Sequence, residues 1–120
     1  MAYIKDYNSC RTLLQVDGNL IKDYNSCRIL YRIDGDRVID YNSCKILFDI
    51  SGGCVKDYSS CRIILSVTND QVKDYRSCKI LVTYDNTYIK DYHSCRYLYK
   101  IDGFLSKREM VAVLAVLFAV

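Results

Sequence analysis

Asp6-Tyr7-Asn8-Ser9-Cys10-Arg11 is one of six copies of a short motif that recurs every 17 residues along the chain. Asp, Tyr, Ser and Cys are present in every copy, and the residue after Cys is always Arg or Lys. A constant period without insertions is typical of repeat architectures. We therefore divide residues 4–105 into six tandem units, 4–20, 21–37, 38–54, 55–71, 72–88 and 89–105, followed by a C-terminal segment, 106–120.

A second turn signal lies between the motifs, and its last member is always Gly or Asn. The six dipeptides are Asp17-Gly18, Asp34-Gly35, Ser51-Gly52, Thr68-Asn69, Asp85-Asn86 and Asp102-Gly103. Gly and Asn tolerate a positive φ, and such dipeptides between apolar stretches indicate two-residue type I′ hairpin turns. Each unit is therefore predicted to be one β-hairpin.

The odd period predicts the length of the other turn. If both turns held two residues, equivalent side chains would change faces from one unit to the next. A three-residue loop, Asn25-Ser26-Cys27, removes this conflict and places Tyr24 opposite Arg28. Cys27 then occupies a left-handed bulge position that ordinarily prefers Gly, at a cost of about 1 kcal/mol.

This register divides the side chains between two faces. The predicted core face carries Ile4, Asp6, Thr12, Leu14, Val16 and their equivalents. The opposite face carries Lys5, Tyr7, Arg11, Leu13, Gln15 and their equivalents. Apart from the Asp row and Thr12, the core face is apolar or Tyr in every unit.

The C-terminal segment predicts a helix that begins at about Lys107. Ser106 and Glu109 form a capping-box pattern, and the residues from Met110 onward are all apolar. A helix that is apolar all round needs cover on every side. The hairpins are expected to curl or close around it; burial of two helices in a homo-oligomer and attachment to a membrane surface are the alternatives.

The units resemble the short hairpin repeats of bacterial beta-flower proteins, in which hairpin petals surround a central axis. The stretch that carries the resemblance runs from Ile21 to Gly35 and recurs over residues 4–105. Such repeats usually have Gly where this chain has Cys10, Cys27, Cys44, Cys61, Cys78 and Cys95. The resemblance implies an all-β hairpin array and no catalytic residues.

Composition narrows the function class. The chain has 120 residues, 51% hydrophobic, with 17 Lys and Arg against 14 Asp and Glu. This balance does not favour a nucleic-acid partner. No pairing of nucleophile and base is visible, so we expect no enzymatic activity and no cofactor.

No secretory signal follows Met1, so a cytoplasmic location with free thiols is expected.

Two repeated rows have structural interpretations. Hairpin geometry places successive Cys about 9.6 Å apart, too far for disulfides or a shared zinc ion. A parallel solenoid would bring them within about 4.8 Å and permit metal or redox chemistry. The Asp side chains are expected to accept hydrogen bonds from the N–H groups of their own turns, with cation binding as the alternative. His93 and Cys54 are interpreted as a solvated turn residue and an incidental thiol.

The remaining rows form the candidate binding surface, which combines aromatic and basic side chains. Its members are Tyr7, Arg11, Tyr24, Arg28, Tyr41, Lys45, Tyr58, Arg62, Tyr75, Lys79, Tyr92 and Arg96. Cross-strand stabilisation of a solvated face by cation-π contacts is the simpler interpretation. We expect a non-enzymatic structural or interaction scaffold, and the alternative is a module that binds a glycan or a polyanion through these rows.

Overall fold

The computed structural model describes residues 1–119, which form twelve β-strands and one α-helix. The strands are β1 (Ala2–Asp6), β2 (Thr12–Asp17), β3 (Leu20–Asp23), β4 (Ile29–Asp34), β5 (Arg37–Asp40), β6 (Ile46–Asp49), β7 (Cys54–Asp57), β8 (Ile63–Val67), β9 (Gln71–Asp74), β10 (Ile80–Tyr84), β11 (Tyr88–Asp91) and β12 (Tyr97–Asp102). The helix, α1, runs over Lys107–Phe118, and a short 3-10 turn, Ser51–Gly53, precedes β7.

The strands close into a barrel in which every strand pairs antiparallel with its neighbours in sequence, and β1 pairs with β12. At this seam Ile4 lies opposite Ile101. Gly103 follows β12 and passes close to the N-terminus, where an added Cβ would lie 2.6 Å from the carbonyl oxygen of Met1. The expected hairpin array is therefore confirmed, and it is closed.

The odd period is accommodated by a β-bulge in every unit. In the second unit Ile21 pairs with Tyr31 and Lys22 pairs with Ile29, so that Leu30 is the extra residue. The same shift recurs in the other five units. One extra residue per unit restores the alternation of faces that an odd repeat would otherwise invert. The odd period is therefore compensated by a bulge within the strand and not by the predicted three-residue loop.

The bulge also changes the predicted faces. The rows that begin at Ile4, Leu14 and Val16 supply the barrel's side of the core, as predicted. The bulge row, Leu13, Leu30, Leu47, Ile64, Leu81 and Leu98, was assigned to the outer face but packs against the core. Thr12 pairs with Lys5 in the ladder, so its row shares the outer face with the lysines and was wrongly placed in the core.

The turn that contains Cys holds four residues, one more than predicted. The N–H of Asp23 donates to the carbonyl of Arg28 at 2.9 Å, so Asp23, and not Tyr24, lies opposite Arg28. The loop is therefore Tyr24 to Cys27. All six Cys of the motifs have φ between 59° and 61°, which confirms the predicted left-handed position.

The second set of turns begins one residue later than predicted. Asp17 pairs with Leu20 and Asp34 pairs with Arg37, so the first two loops are Gly18-Asn19 and Gly35-Asp36. The first loop residues, Gly18 and Gly35, have φ of 60°. The second loop residues, Asn19 and Asp36, do not have a positive φ, because Cys is the only non-glycine residue type with positive φ in the described chain. Positive φ at the first loop residue alone fits type II′, so the prediction of type I′ was wrong for these two turns. In the third turn Gly52 and Gly53 have φ of 66° and 77° and the Cys54 N–H donates to the carbonyl of Ser51, which fits the predicted type I′.

The helix lies in the lumen of the barrel. Six consecutive residues, from Met110 to Ala115, are buried. Because six residues span more than one full turn of helix, this stretch is covered on all sides. The predicted capping box is present, with the Glu109 N–H 3.2 Å from Ser106 Oγ and the Ser106 N–H 2.8 Å from Glu109 Oε1. The segment was predicted to continue to residue 120; Val120 lies outside the described residues.

Substitution of Cys27 tests the left-handed turn position. Cys27→Gly should leave the melting temperature equal or higher, because Gly has no Cβ to clash at φ 59°. Cys27→Val should lower the free energy of unfolding by about 1 kcal/mol or more, because a β-branched side chain is worse placed in this region. Thermal unfolding of both variants measures this, and a destabilising Gly beside a neutral Val would contradict it.

Substitution within α1 tests its position in the lumen. Leu114 has no exposed surface, so Leu114→Ala should lower the free energy of unfolding by about 2–5 kcal/mol through the cavity that it leaves. Leu117→Ala makes the same chemical change at a partly exposed position of the same helix and should cost clearly less. Denaturant unfolding compares them; equal costs would mean that the barrel does not enclose the helix.

Candidate tyrosine mouth

The six Cys-containing turns lie together at one end of the barrel, which we call the tyrosine mouth. They connect β1 to β2 and each later odd-numbered strand to the strand that follows it. The remaining turns and the start of α1 form the opposite end, the glycine mouth. The six Tyr of the motif are 41–51% exposed, which is high for a large aromatic side chain on a closed scaffold. The tyrosine mouth therefore carries a ring of aromatic groups.

Each turn of the tyrosine mouth is held by its own Asp. In the second unit Asp23 Oδ2 accepts from Ser26 Oγ at 2.7 Å and from the Ser26 N–H at 3.0 Å. Ser26 Oγ in turn accepts from the N–H of Arg28 at 3.3 Å. The same three bonds recur in all six turns. The expectation that the Asp side chains bind their own turns is confirmed.

Adjacent turns are tied to each other through the bulges. The N–H of Tyr24 donates to the carbonyl of Leu13 at 3.1 Å, and the N–H of Tyr7 closes the ring by donating to Leu98 at 3.0 Å. All six bulge carbonyls accept such a bond, at 3.0–3.2 Å. The exposed Tyr side chains are therefore attached to turns whose backbones are hydrogen-bonded to one another around the barrel.

Grooves run between adjacent turns. One, of about 510 Å³, is lined by Lys45, Leu47, Tyr58 and the helix end at Ala119, among others. The next groove, of about 480 Å³, is lined by Arg62, Ile63, Ile64, Asp74, Tyr75 and Arg76. Each of these six residues lies 17 positions beyond a lining residue of the first groove. Each groove thus combines a basic side chain, an apolar floor and a Tyr.

The predicted cation-π pairs within hairpins are not formed. Tyr24 and Arg28 are not opposite each other, because Asp23 takes that place. The cation-π contacts of the described chain are Arg37 over Tyr58, at 5.4 Å, and Lys90 over Tyr97, at 5.2 Å. The basic residues of the motif are instead exposed at the mouth, where they are available to a partner.

An aromatic cluster at the seam breaks the sixfold pattern. Ring centroids of Tyr88 and Tyr97 are 4.9 Å apart, and Tyr7 lies 5.0 Å from Tyr97. A groove of about 390 Å³ beside the cluster is lined by Tyr7, Tyr88, Lys5 and Lys100, among others. Sequence reasoning missed this site. The available signal was that Tyr97 replaces the Ile that four other units carry at this position.

The two mouths differ in the charges that they expose. At the tyrosine mouth the six Asp are half-buried in their turns, and every exposed side chain among Asp, Glu, Lys and Arg is basic. These are Arg11, Arg28, Lys45, Arg62, Arg76, Lys79 and Arg96. The glycine mouth exposes Asp34, Asp36, Asp70, Asp85 and Asp102 against the basic side chains of Arg37, Lys107 and Arg108.

The cysteines and the single histidine add no assembled centre. All seven Cys are free thiols, and the six in the motifs are exposed. Within residues 1–119 no group of three or more His, Cys, Asp or Glu side chains is arranged to hold a metal ion. His93 is exposed in its turn, 6.2 Å from the ring of Tyr92.

Comparisons with protein-family models, curated proteins and solved structures find no match to this chain. None of the helical residues described here forms a segment of the length and hydrophobicity that spanning a membrane requires.

The pKa of Asp23 tests the hydrogen bonds of the turn. The Ser26 hydroxyl and backbone N–H lower this pKa, because both bonds favour the ionised carboxylate. A lowered folded-state pKa contributes stability above the unfolded value of about 3.9, and that stability is lost as pH falls through the folded value. Ser26→Ala should raise the pKa of Asp23 toward its ordinary value, as followed by NMR titration of the carboxyl carbon.

Asp40 provides the control within the same molecule, since its partner, Ser43, is unchanged. Its pKa should stay lowered. An unaltered Asp23 in the variant would show that the hydroxyl does not hold the carboxylate in solution.

Proposed function

We propose that this chain is a non-enzymatic interaction scaffold that binds its partners through the tyrosine mouth. The observation that carries the proposal is the ring of six exposed Tyr side chains on hydrogen-bonded turns, each turn carrying an exposed basic residue. Tyr and Arg are enriched in protein binding surfaces because they combine large contact area with polar groups. A rigid ring loses little conformational entropy when it binds.

The architecture supports a scaffold rather than a catalyst. Buried side chains in the described chain are all hydrophobic, and the lumen is occupied by α1. The grooves lie on the surface, and the Asp of each turn already bonds its own Ser. We further propose a cytoplasmic location, in keeping with the seven free thiols, and retain the beta-flower relationship as a hypothesis that the closed hairpin barrel is compatible with.

Binding of a glycan or polyanion is the second candidate, and the seam cluster favours it. Three Tyr rings lie 4.9–6.0 Å apart beside Lys5, Lys90 and Lys100. Aromatic faces pack against sugar rings, and ammonium groups attract sulfate or phosphate groups. A chain of anionic sugars would use both features together.

A sulfated oligosaccharide derived from heparin, compared with a neutral oligosaccharide of equal length, tests the second candidate. The sulfated probe should bind at low salt and weaken as salt rises. Tyr97→Ile, which installs the residue that other units carry, should weaken binding at least ~10-fold by removing the central ring. Isothermal titration calorimetry measures both.

Tyr75→Ala is the matched control, since Tyr75 is exposed at the tyrosine mouth but outside the seam cluster. It should bind the probe nearly as wild type does. Equal loss in both variants would move the site from the seam to the whole mouth, and no binding of the sulfated probe at low salt would refute the second candidate.

A further inference from the structure

We propose that the tyrosine mouth of one copy docks on the glycine mouth of a second copy, so that the chain assembles head to tail. This inference rests on the proposed function, because it names the partner that the tyrosine mouth takes. Three independent features of the two mouths support it: their exposed charges, an unpaired aromatic side chain, and their size.

Charge is the first feature. The exposed charged side chains of the tyrosine mouth are all basic, whereas the glycine mouth exposes five Asp against three basic side chains and so carries an acidic excess. Two tyrosine mouths would repel each other, and two glycine mouths would bring two acidic excesses together. Contact between unlike mouths is the one arrangement that brings opposite charges together, and complementary charge of this kind selects both partner and orientation.

Phe104 is the second feature. Its side chain is 79% exposed, the highest value among the large hydrophobic residues of the described chain. It lies at the glycine mouth, between the end of β12 and the start of α1. The facing tyrosine mouth offers the groove of about 510 Å³ with an apolar floor that includes Ile46, Leu47 and Ile64. An aromatic side chain seated in such a groove is the usual anchor of a protein interface.

Size and symmetry form the third feature. The molecule measures 35 × 34 × 20 Å, and its cross-section over the two longer dimensions has an area of roughly 900 Å². Stable complexes bury about 800 Å² per partner. The groove between adjacent turns recurs in the next unit, so Phe104 of the second copy meets an equivalent acceptor at more than one rotation about the barrel axis.

A contact between unlike surfaces leaves one mouth free at each end of the dimer, so it extends into a filament. Sedimentation velocity at increasing protein concentration should show a series of species above the monomer. Association should weaken between ~0.01 M and ~0.1 M salt, where the screening length falls from about 30 Å to about 10 Å. Phe104→Ser should lower the association constant at least ~10-fold.

Charge reversal separates this arrangement from every symmetric alternative. The donor variant carries Asp34→Lys and Asp70→Lys, which leave the glycine mouth with more exposed basic than acidic side chains. The acceptor variant carries Arg28→Glu, Arg62→Glu, Arg76→Glu and Arg96→Glu, which leave the tyrosine mouth with more exposed acidic than basic side chains. All six positions are exposed. Each variant alone should remain monomeric, since its two mouths now carry like charges. An equimolar mixture should associate again, because each mouth of one variant meets its complement on the other.

Several outcomes would overturn the inference: a wild-type protein that is monomeric at low salt, a charge-reversed variant that associates alone, or a mixture that stays monomeric. Circular dichroism and thermal unfolding should show that all variants keep the wild-type fold. If the mixture fails while the sulfated oligosaccharide binds and Tyr75→Ala weakens that binding as much as Tyr97→Ile does, the head-to-tail contact is wrong and the tyrosine mouth stands as the proposed binding surface.

Discussion

The structure depends on one geometric constraint, which is that an odd repeat of 17 residues must keep one face of a closed sheet buried. Side chains alternate strictly along a strand, so an odd period inverts the faces unless one residue per unit leaves the ladder. The bulge at Leu30 and its equivalents is that residue. A barrel encloses its lumen on all sides, so the bulge must recur in every unit for the core to close.

The bulge also has a second consequence, which links the fold to the binding surface. An extra residue breaks the ladder locally and leaves its own carbonyl to be satisfied. At Leu13 the partner is the N–H of Tyr24 in the next turn. The same residue that restores the alternation therefore ties neighbouring turns together and positions their Tyr side chains. The strained Cys27 persists because the bonds around Asp23 determine the turn; these contacts do not explain why the residue is Cys and not Gly.

Sequence reasoning reached the architecture because the repeat carries its signals six times. The period, the capping box at Ser106 and the uninterrupted apolar run of the helix sufficed to predict hairpins around a buried helix. The placement of Leu13 and Thr12 failed, because a bulge and a longer loop have the same effect on parity and composition does not distinguish them. The seam cluster could not be located, because Tyr7 and Tyr97 meet only when the barrel closes.

The single helix adds to the difference between the two ends of this near-symmetric barrel, which already have different turns. Six units alone would leave both mouths open, but α1 begins at the glycine mouth, where Arg108 lies 3.5 Å from Asp36, and ends at the tyrosine mouth, where Ala119 lines a groove. The connection into the helix also leaves Phe104 exposed on one mouth only. The formal net charge of +3 does not reveal this difference between the two mouths, because it sums the exposed basic side chains at one end with the exposed carboxylates at the other. The two ends of the barrel therefore differ in exposed charge and in exposed aromatic side chains. Two unlike ends on a rigid body favour partners that distinguish between them.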